Sequence, residues 1–147
     1  MQRPLLVGEF EVTLDAKNRV AIPARLRTHF SEGIYVTQEN ERCLGGYSPD
    51  EFQRRLEEDV DVTSAGSVRR RDVKRRLAAT AVHFPELDKQ GRVTLPGKHL
   101  EYAGASKDLT IIGAADHLEI WDRAAWTAYR ARLEEEADAS ADEHPTS

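Results

Sequence analysis

The stretch Asp15-Ala16-Lys17-Asn18-Arg19-Val20-Ala21-Ile22-Pro23 returns as Asp88-Lys89-Gln90-Gly91-Arg92-Val93-Thr94-Leu95-Pro96. Aspartate, arginine and proline recur at one constant separation of 73 residues, so the chain is an internal duplication. A repeated loop with a fixed cation presents the same contact twice, and nucleic acid is a partner that is itself periodic.

Phe10, Val12 and Leu14 alternate with Glu11 and Thr13 before the first loop, and Val20 and Ile22 alternate with Arg19 and Ala21 after it. This period-two pattern on both sides of a short connection predicts a β-hairpin. Asn18 and Gly91 occupy equivalent places, and these two residue types best tolerate a left-handed backbone, so one loop shape serves both copies. Asp15 and Asp88 open the loops and are placed to accept hydrogen bonds from amides further along them.

Pro23 and Pro96 end the second strand of each copy and suit the first position of a helix. Short helices are predicted from Ala24 to Phe30 and from Lys98 to Ala103, with Gly33 and Gly104 as stops. Ile34-Tyr35-Val36 and Leu109-Thr110-Ile111-Ile112 follow as β-rich segments. From there the separation becomes 74, matching Leu44 with Leu118, Tyr47 with Trp121 and Phe52 with Trp126. Helices from Pro49 to Asp59 and from Arg123 to Glu136 close the copies, while 61–66 reads as a loop and Ser67 to Ala81 as a further helix. The organisation expected is a first repeat at 9–52, a helical connector at 53–80, a second repeat at 81–126 and a helix end with an acidic tail at 127–147.

At 147 residues the two copies are each too small to be comfortable alone and are expected to share one core. No apolar run approaches the roughly 20 residues of a membrane span, and Leu5-Leu6-Val7 is too short for a signal-peptide core. A cytoplasmic location is therefore expected. Cys43 is the single cysteine and reads as a small core residue. The net charge of −5 runs against DNA binding, but Glu134, Glu135, Glu136, Asp138, Asp142 and Glu143 lie in a stretch without Lys or Arg. Setting those six negative charges aside leaves +1, and the composition of the tail predicts disorder.

Lys17, Arg19, Lys89 and Arg92 lie on the two loops, where arginine can bridge acceptors on a phosphate or a guanine edge. The plainer alternative is that each arginine pairs with its own loop's aspartate, four residues earlier. Arg25 and Arg27 follow Pro23, where phosphate contact competes with a simple solvated helix face; copy two has Lys98 and Leu100 there. Arg69, Arg70, Arg71, Lys74, Arg75 and Arg76 make the connector helix the densest positive region, against a packing stripe of Val68, Val73, Leu77 and Ala81. That stripe favours a structural or inter-subunit role.

An enzyme would have to use Asp15 and Asp88 as a carboxylate pair, yet both belong to a repeated structural feature and no nucleophile accompanies them. His29, His83, His99, His117 and His144 show no metal-ligand spacing, and neither a metal nor a cofactor is expected. Trp121 and Trp126 could stack on bases, but their matches to Tyr47 and Phe52 favour a core role.

Gly8-Glu9-Phe10, the run from Thr13 to Arg27, Leu87-Asp88-Lys89-Gln90-Gly91-Arg92 and Leu118-Glu119-Ile120-Trp121-Asp122 together resemble the MraZ family of bacterial transcriptional regulators. The resemblance runs from Gly8 to about Tyr129. It implies a mainly β fold with flanking helices, in which two SpoVT-AbrB-type swapped-hairpin repeats intertwine into a β-barrel. It also implies a ring-like homo-oligomer that binds double-stranded DNA at short guanine-rich direct repeats. Those repeats lie ahead of the division and cell-wall gene cluster, which includes the regulator's own gene, so a nucleoid association follows. The family's DNA contact by the loop arginine carries over to Arg19 and, by position, to Arg92, with Lys17 and Lys89 beside them. A protein-interaction or antitoxin-like module of the same fold is the alternative. The chain departs from the family pattern at Asn18, where Gly is usual, at Leu100, where Arg is frequent, and in a slightly longer Met1 to Val7 segment.

Overall fold

The structure, a computed structural model, describes residues 5–61 and 67–143. Most of the loop expected at 61–66 lies outside the described residues, as do His144 and the end of the tail. In chain order the elements are β1 (Glu9–Thr13), β2 (Arg19–Ala21), α1 (Ala24–Arg27) running into a 3-10 turn (Thr28–Phe30), β3 (Ile34–Gln38) and β4 (Leu44–Tyr47). Then follow α2 (Pro49–Asp61), α3 (Ser67–Thr80), β5 (Val82–Phe84), β6 (Arg92–Thr94), α4 (Gly97–Tyr102), β7 (Asp108–Gly113), β8 (Leu118–Asp122) and α5 (Arg123–Glu143). The fold is mainly β with flanking helices, as the resemblance implies.

The arms of each expected hairpin do not pair with one another. β1 pairs antiparallel with β7 of the other copy, from Glu9 opposite Ile112 to Thr13 opposite Asp108. β5 pairs in the same way with β3, placing Tyr35 opposite His83. β2 and β6 pair with each other as a separate ribbon, with Val20 opposite Val93. The local alternation that predicts a strand says nothing about its partner. Each first strand finds its ladder in the opposite copy, so the hairpins are swapped.

A six-stranded antiparallel sheet results, in the order β1-β7-β8-β4-β3-β5, open at β1 and β5. The β2–β6 ribbon packs on it: Val20, Ile22, Val93 and Leu95 join Ile34, Val36, Leu109, Ile111, Leu118 and Ile120 in one buried cluster. The β structure enclosing the core is thus built from two ladders rather than one continuous one. An internal two-fold runs through it. Exchanging the copies at a separation of 73 maps the pairing of Arg19 with Thr94 onto that of Arg92 with Ala21. A separation of 74 does the same for β4 and β8, where Leu44 faces Ile120 and Gly46 faces Leu118.

The aromatic matches are structural. Trp121 is buried with Cys43 and Ile112 under Trp126 and Tyr129, and Tyr47 and Phe52 form the corresponding cluster with Leu77. The Cys43 thiol is raised well above its ordinary pKa, mainly by burial, and is an unreactive core group.

Two expectations about helices change. The acidic stretch after Glu134, which by composition should be disordered, continues α5 as far as Glu143. Alanine and glutamate are strong helix formers, and no glycine or proline intervenes before Pro145. The expected stripe on α3 is only partly buried: Leu77 is covered and Ala81 packs beside it, Val73 is 39% exposed, and the Val68 side chain is outside the described residues. No described helix is long and apolar enough to cross a membrane.

Because strands from both copies share one core, unfolding should be a single transition by far-UV circular dichroism and tryptophan fluorescence alike. Ile22→Ala, at a fully buried ribbon position, should lower stability by about 2–5 kcal/mol. Two separated transitions would show that the copies fold independently.

Candidate nucleic-acid interface

The two loops are built alike, atom for atom. Asp15 Oδ1 accepts the amides of Lys17 at 2.9 Å and Arg19 at 2.8 Å, while Oδ2 accepts Arg19 Nε at 2.7 Å. Asp88 Oδ1 accepts the amides of Gln90 at 2.9 Å and Arg92 at 2.8 Å, and Oδ2 accepts Arg92 Nε at 2.8 Å. The turn that allows this is left-handed at its fourth residue, with φ of 61° at Asn18 and 74° at Gly91. The two residues therefore serve one backbone need, as their equivalent positions predict.

The pairing of each arginine with its own aspartate is real, and its consequence is orientation. An exposed pair of this kind contributes little to stability. By holding Nε, however, the carboxylate fixes the guanidinium plane. Arg19 is left with both Nη groups unbonded to any described residue. Such a fork is free to accept a bidentate partner. Arg92 differs slightly, since its Nη1 also lies 3.6 Å from Asp15 Oδ2. This contact joins the two loops.

The Arg19 backbone amide is the main cause of a low Asp15 pKa of about 2, with the Arg19 guanidinium and the Lys17 amide adding to it; Asp88 is lowered in the same way by Arg92 and Gln90. A depressed carboxylate pKa stabilises the folded loop above its unfolded value near 3.9. That contribution is lost as pH falls through about 2. Both loops stay intact at neutral pH.

The register of the ribbon sets what lies beside what. Val20 and Val93 point into the core, so Arg19, Ala21, Arg92 and Thr94 share its outer face. Lys17 and Lys89 are exposed on the adjoining loops. Two arginines and two lysines thus border one short surface.

Arg25 is exposed on α1. Arg27 has a different place from the one its neighbour suggests. Its Nε donates to the Ile22 carbonyl at 2.7 Å, and its side chain lies directly over Gly91. A Cβ at Gly91 would fall 2.2 Å from Arg27 Nε, so a side chain there would have to displace the Arg27 arm, in addition to the strain of a positive φ. The matching pair in the other half is Asn18 and Leu100, with a side chain at the turn and a shorter residue on the helix. That reciprocal exchange was the one signal in the sequence that Arg27 is a strut between the copies.

His83, His99 and His117 are engaged in packing and hydrogen bonds, with His117 lying between Asp116 at 2.7 Å and Glu119 at 3.1 Å. His83 stacks on Tyr35, His117 on Tyr47, and His99 bonds the Thr80 carbonyl at 2.8 Å. Among the described residues, no three metal-capable side chains cluster.

Gly91→Ala should therefore destabilise the protein by about 1–3 kcal/mol, through the left-handed φ and the displaced Arg27. In an Arg27→Ala background the penalty should shrink, whereas strictly additive losses in denaturant melts would mean the two residues are independent.

Comparison with known proteins matches both halves of the chain, at residues 5–75 and 78–146, to the family model described as MraZ protein. The chain is 35% identical over 139 residues to "Transcriptional regulator MraZ" of Mycolicibacterium smegmatis, covering 95% of this chain and 96% of that protein. It is 38% identical to the protein of the same name from Kocuria rhizophila, with 85% and 86% covered, and 37% identical to that from Micrococcus luteus, with 88% and 90% covered.

Proposed function

The chain belongs to the MraZ family, and from that premise we propose that it binds double-stranded DNA sequence-specifically through the outer face of the β2–β6 ribbon. It is a transcriptional regulator, as its named relatives are, and not an enzyme. The observation that carries the DNA reading is the matched pair of aspartate-held arginines on one strand face. Arg19 and Arg92 read guanine edges, while Lys17, Lys89 and Arg25 neutralise nearby phosphates. Arg27 acts from beneath by holding the Gly91 loop in place.

The targets in this reading are short guanine-rich direct repeats ahead of the division and cell-wall gene cluster, including the chain's own gene. The protein works there as a ring-like homo-oligomer in the cytoplasm, associated with the nucleoid. Weak contacts to single repeats gain strength through avidity, because a second engagement on one DNA molecule is effectively intramolecular. A protein-interaction role of the antitoxin-like kind has one observation in its favour, the exposed acidic end of α5. Removing residues 134–147 separates the two, since it should leave ribbon-mediated binding to a one-repeat DNA probe in place and abolish capture of a protein partner.

Fluorescence anisotropy with one-repeat and multi-repeat probes tests the proposal. Arg19→Ala should weaken specific binding by about 1–3 kcal/mol and relax the preference for guanine. Arg92→Ala should act in the same direction, less strongly because its fork is partly shared with Asp15. Lys17→Ala should weaken all sequences alike and reduce the salt slope by about 1. Unchanged binding in the two arginine variants would remove the ribbon from the DNA site.

A further inference from the structure

The beginning of α5 is anchored and its end is not. Arg123 Nη2 donates to the Val12 carbonyl at 2.8 Å, Trp126 donates to Glu9, and Trp126 and Tyr129 pack on Trp121. Arg130 pairs with Glu9 at 3.0 Å. From Ala131 to Ala141 every residue is exposed. This is about 16 Å of helix with no tertiary support, a length that is marginal in water by itself. It carries Leu133, which is 43% exposed, followed by Glu134, Glu135, Glu136 and Asp138 with no cation after Arg132.

The complementary surface lies over another part of the sheet. α5 packs on β7 and β8, whereas α3 packs on α2 and β3. Between α3 and the β3–β4 connection is a groove of about 200 Å³ lined by Arg55, Val73, Arg76 and Leu77 together with two acids, Glu39 and Asp72, which pair with Arg55 and Arg75. Val73 is exposed at this groove, and Arg71, Lys74 and Arg75 are exposed beside it. Arg76 is held across the groove by Asn40 and Tyr102, each at 2.6 Å, so one wall is fixed. Apart from Asp72, which pairs with Arg75 at 3.0 Å, α3 has no acid against its six cations.

We propose that the projecting end of α5 from one copy docks on the α3 groove of a second copy, with Leu133 against Val73 and the following acids facing the α3 cations. The exposure of 131–141 shows that the two surfaces do not meet within one chain. They are also different patches, so the contact is head-to-tail, the kind that closes into a ring when the rotation allows. Charge of opposite sign selects this register and an apolar residue on each side supplies burial. The inference rests on the homo-oligomeric reading above and names the surfaces that would produce it.

The test is sedimentation velocity of the full chain at one concentration in low and high salt. Reversing α3 with Arg71→Glu and Lys74→Glu, or α5 with Glu135→Lys, Glu136→Lys and Asp138→Lys, should each weaken self-association at least about tenfold. Combining both sets should restore it. Val73→Asp should weaken association without altering the charge pattern of α5, and circular dichroism checks that each variant keeps its fold. If the unmodified chain is a monomer, the oligomeric reading itself fails. If it is an oligomer whose mass survives all of these variants, the α5–α3 contact is wrong and another surface forms the assembly. An α3 reversal that lowers DNA affinity and leaves the mass unchanged would also overturn the contact, assigning the basic helix to nucleic acid instead.

Discussion

The three-residue ladder between β2 and β6 is the constraint on which the rest depends. It sets Val20 against Val93 at the internal two-fold, and both are buried against the six-stranded sheet. Since each strand comes from a different copy, neither half can complete the ribbon alone. The same ladder turns Arg19 and Arg92 outward together. Fold and candidate site are therefore one arrangement seen from its two faces.

The loops hold the arginines through a few short bonds whose individual energies are small. Their combined effect is directional: three groups on one carboxylate fix both the turn and the guanidinium plane. The left-handed residue is what lets the chain curl around that carboxylate. Gly91 supplies it without strain, and Asn18 supplies it with a side chain whose type tolerates the region. The copies remain unequal above this common base. Arg27 braces one loop, Leu100 stands at the matching place of the other, and Arg92 alone reaches across to Asp15.

Much of this was legible in the sequence because it follows local rules. The constant separation revealed the duplication, Asn18 matched with Gly91 revealed the turn, and the prolines marked both short helices within a residue or so. Strand partners were not legible from alternation, since the residues of β1 look the same whether they pair with β2 or with β7. It was the family resemblance that supplied the swap. The role of Arg27 was hidden for a related reason: its partner Gly91 is 64 positions away and only the fold brings them together. The end of α5 was misjudged because composition reports charge and polarity, while helix formation there follows from alanine and glutamate in an uninterrupted run.

The most direct measurement is an electron cryomicroscopy structure of the protein bound to DNA carrying several guanine-rich repeats. If the ribbon is the reading surface, the duplex lies along the outer face of β2 and β6, with Arg19 and Arg92 at guanine edges and Asp15 and Asp88 still holding each Nε. A duplex lying along α3, with both loops in solvent, would contradict it.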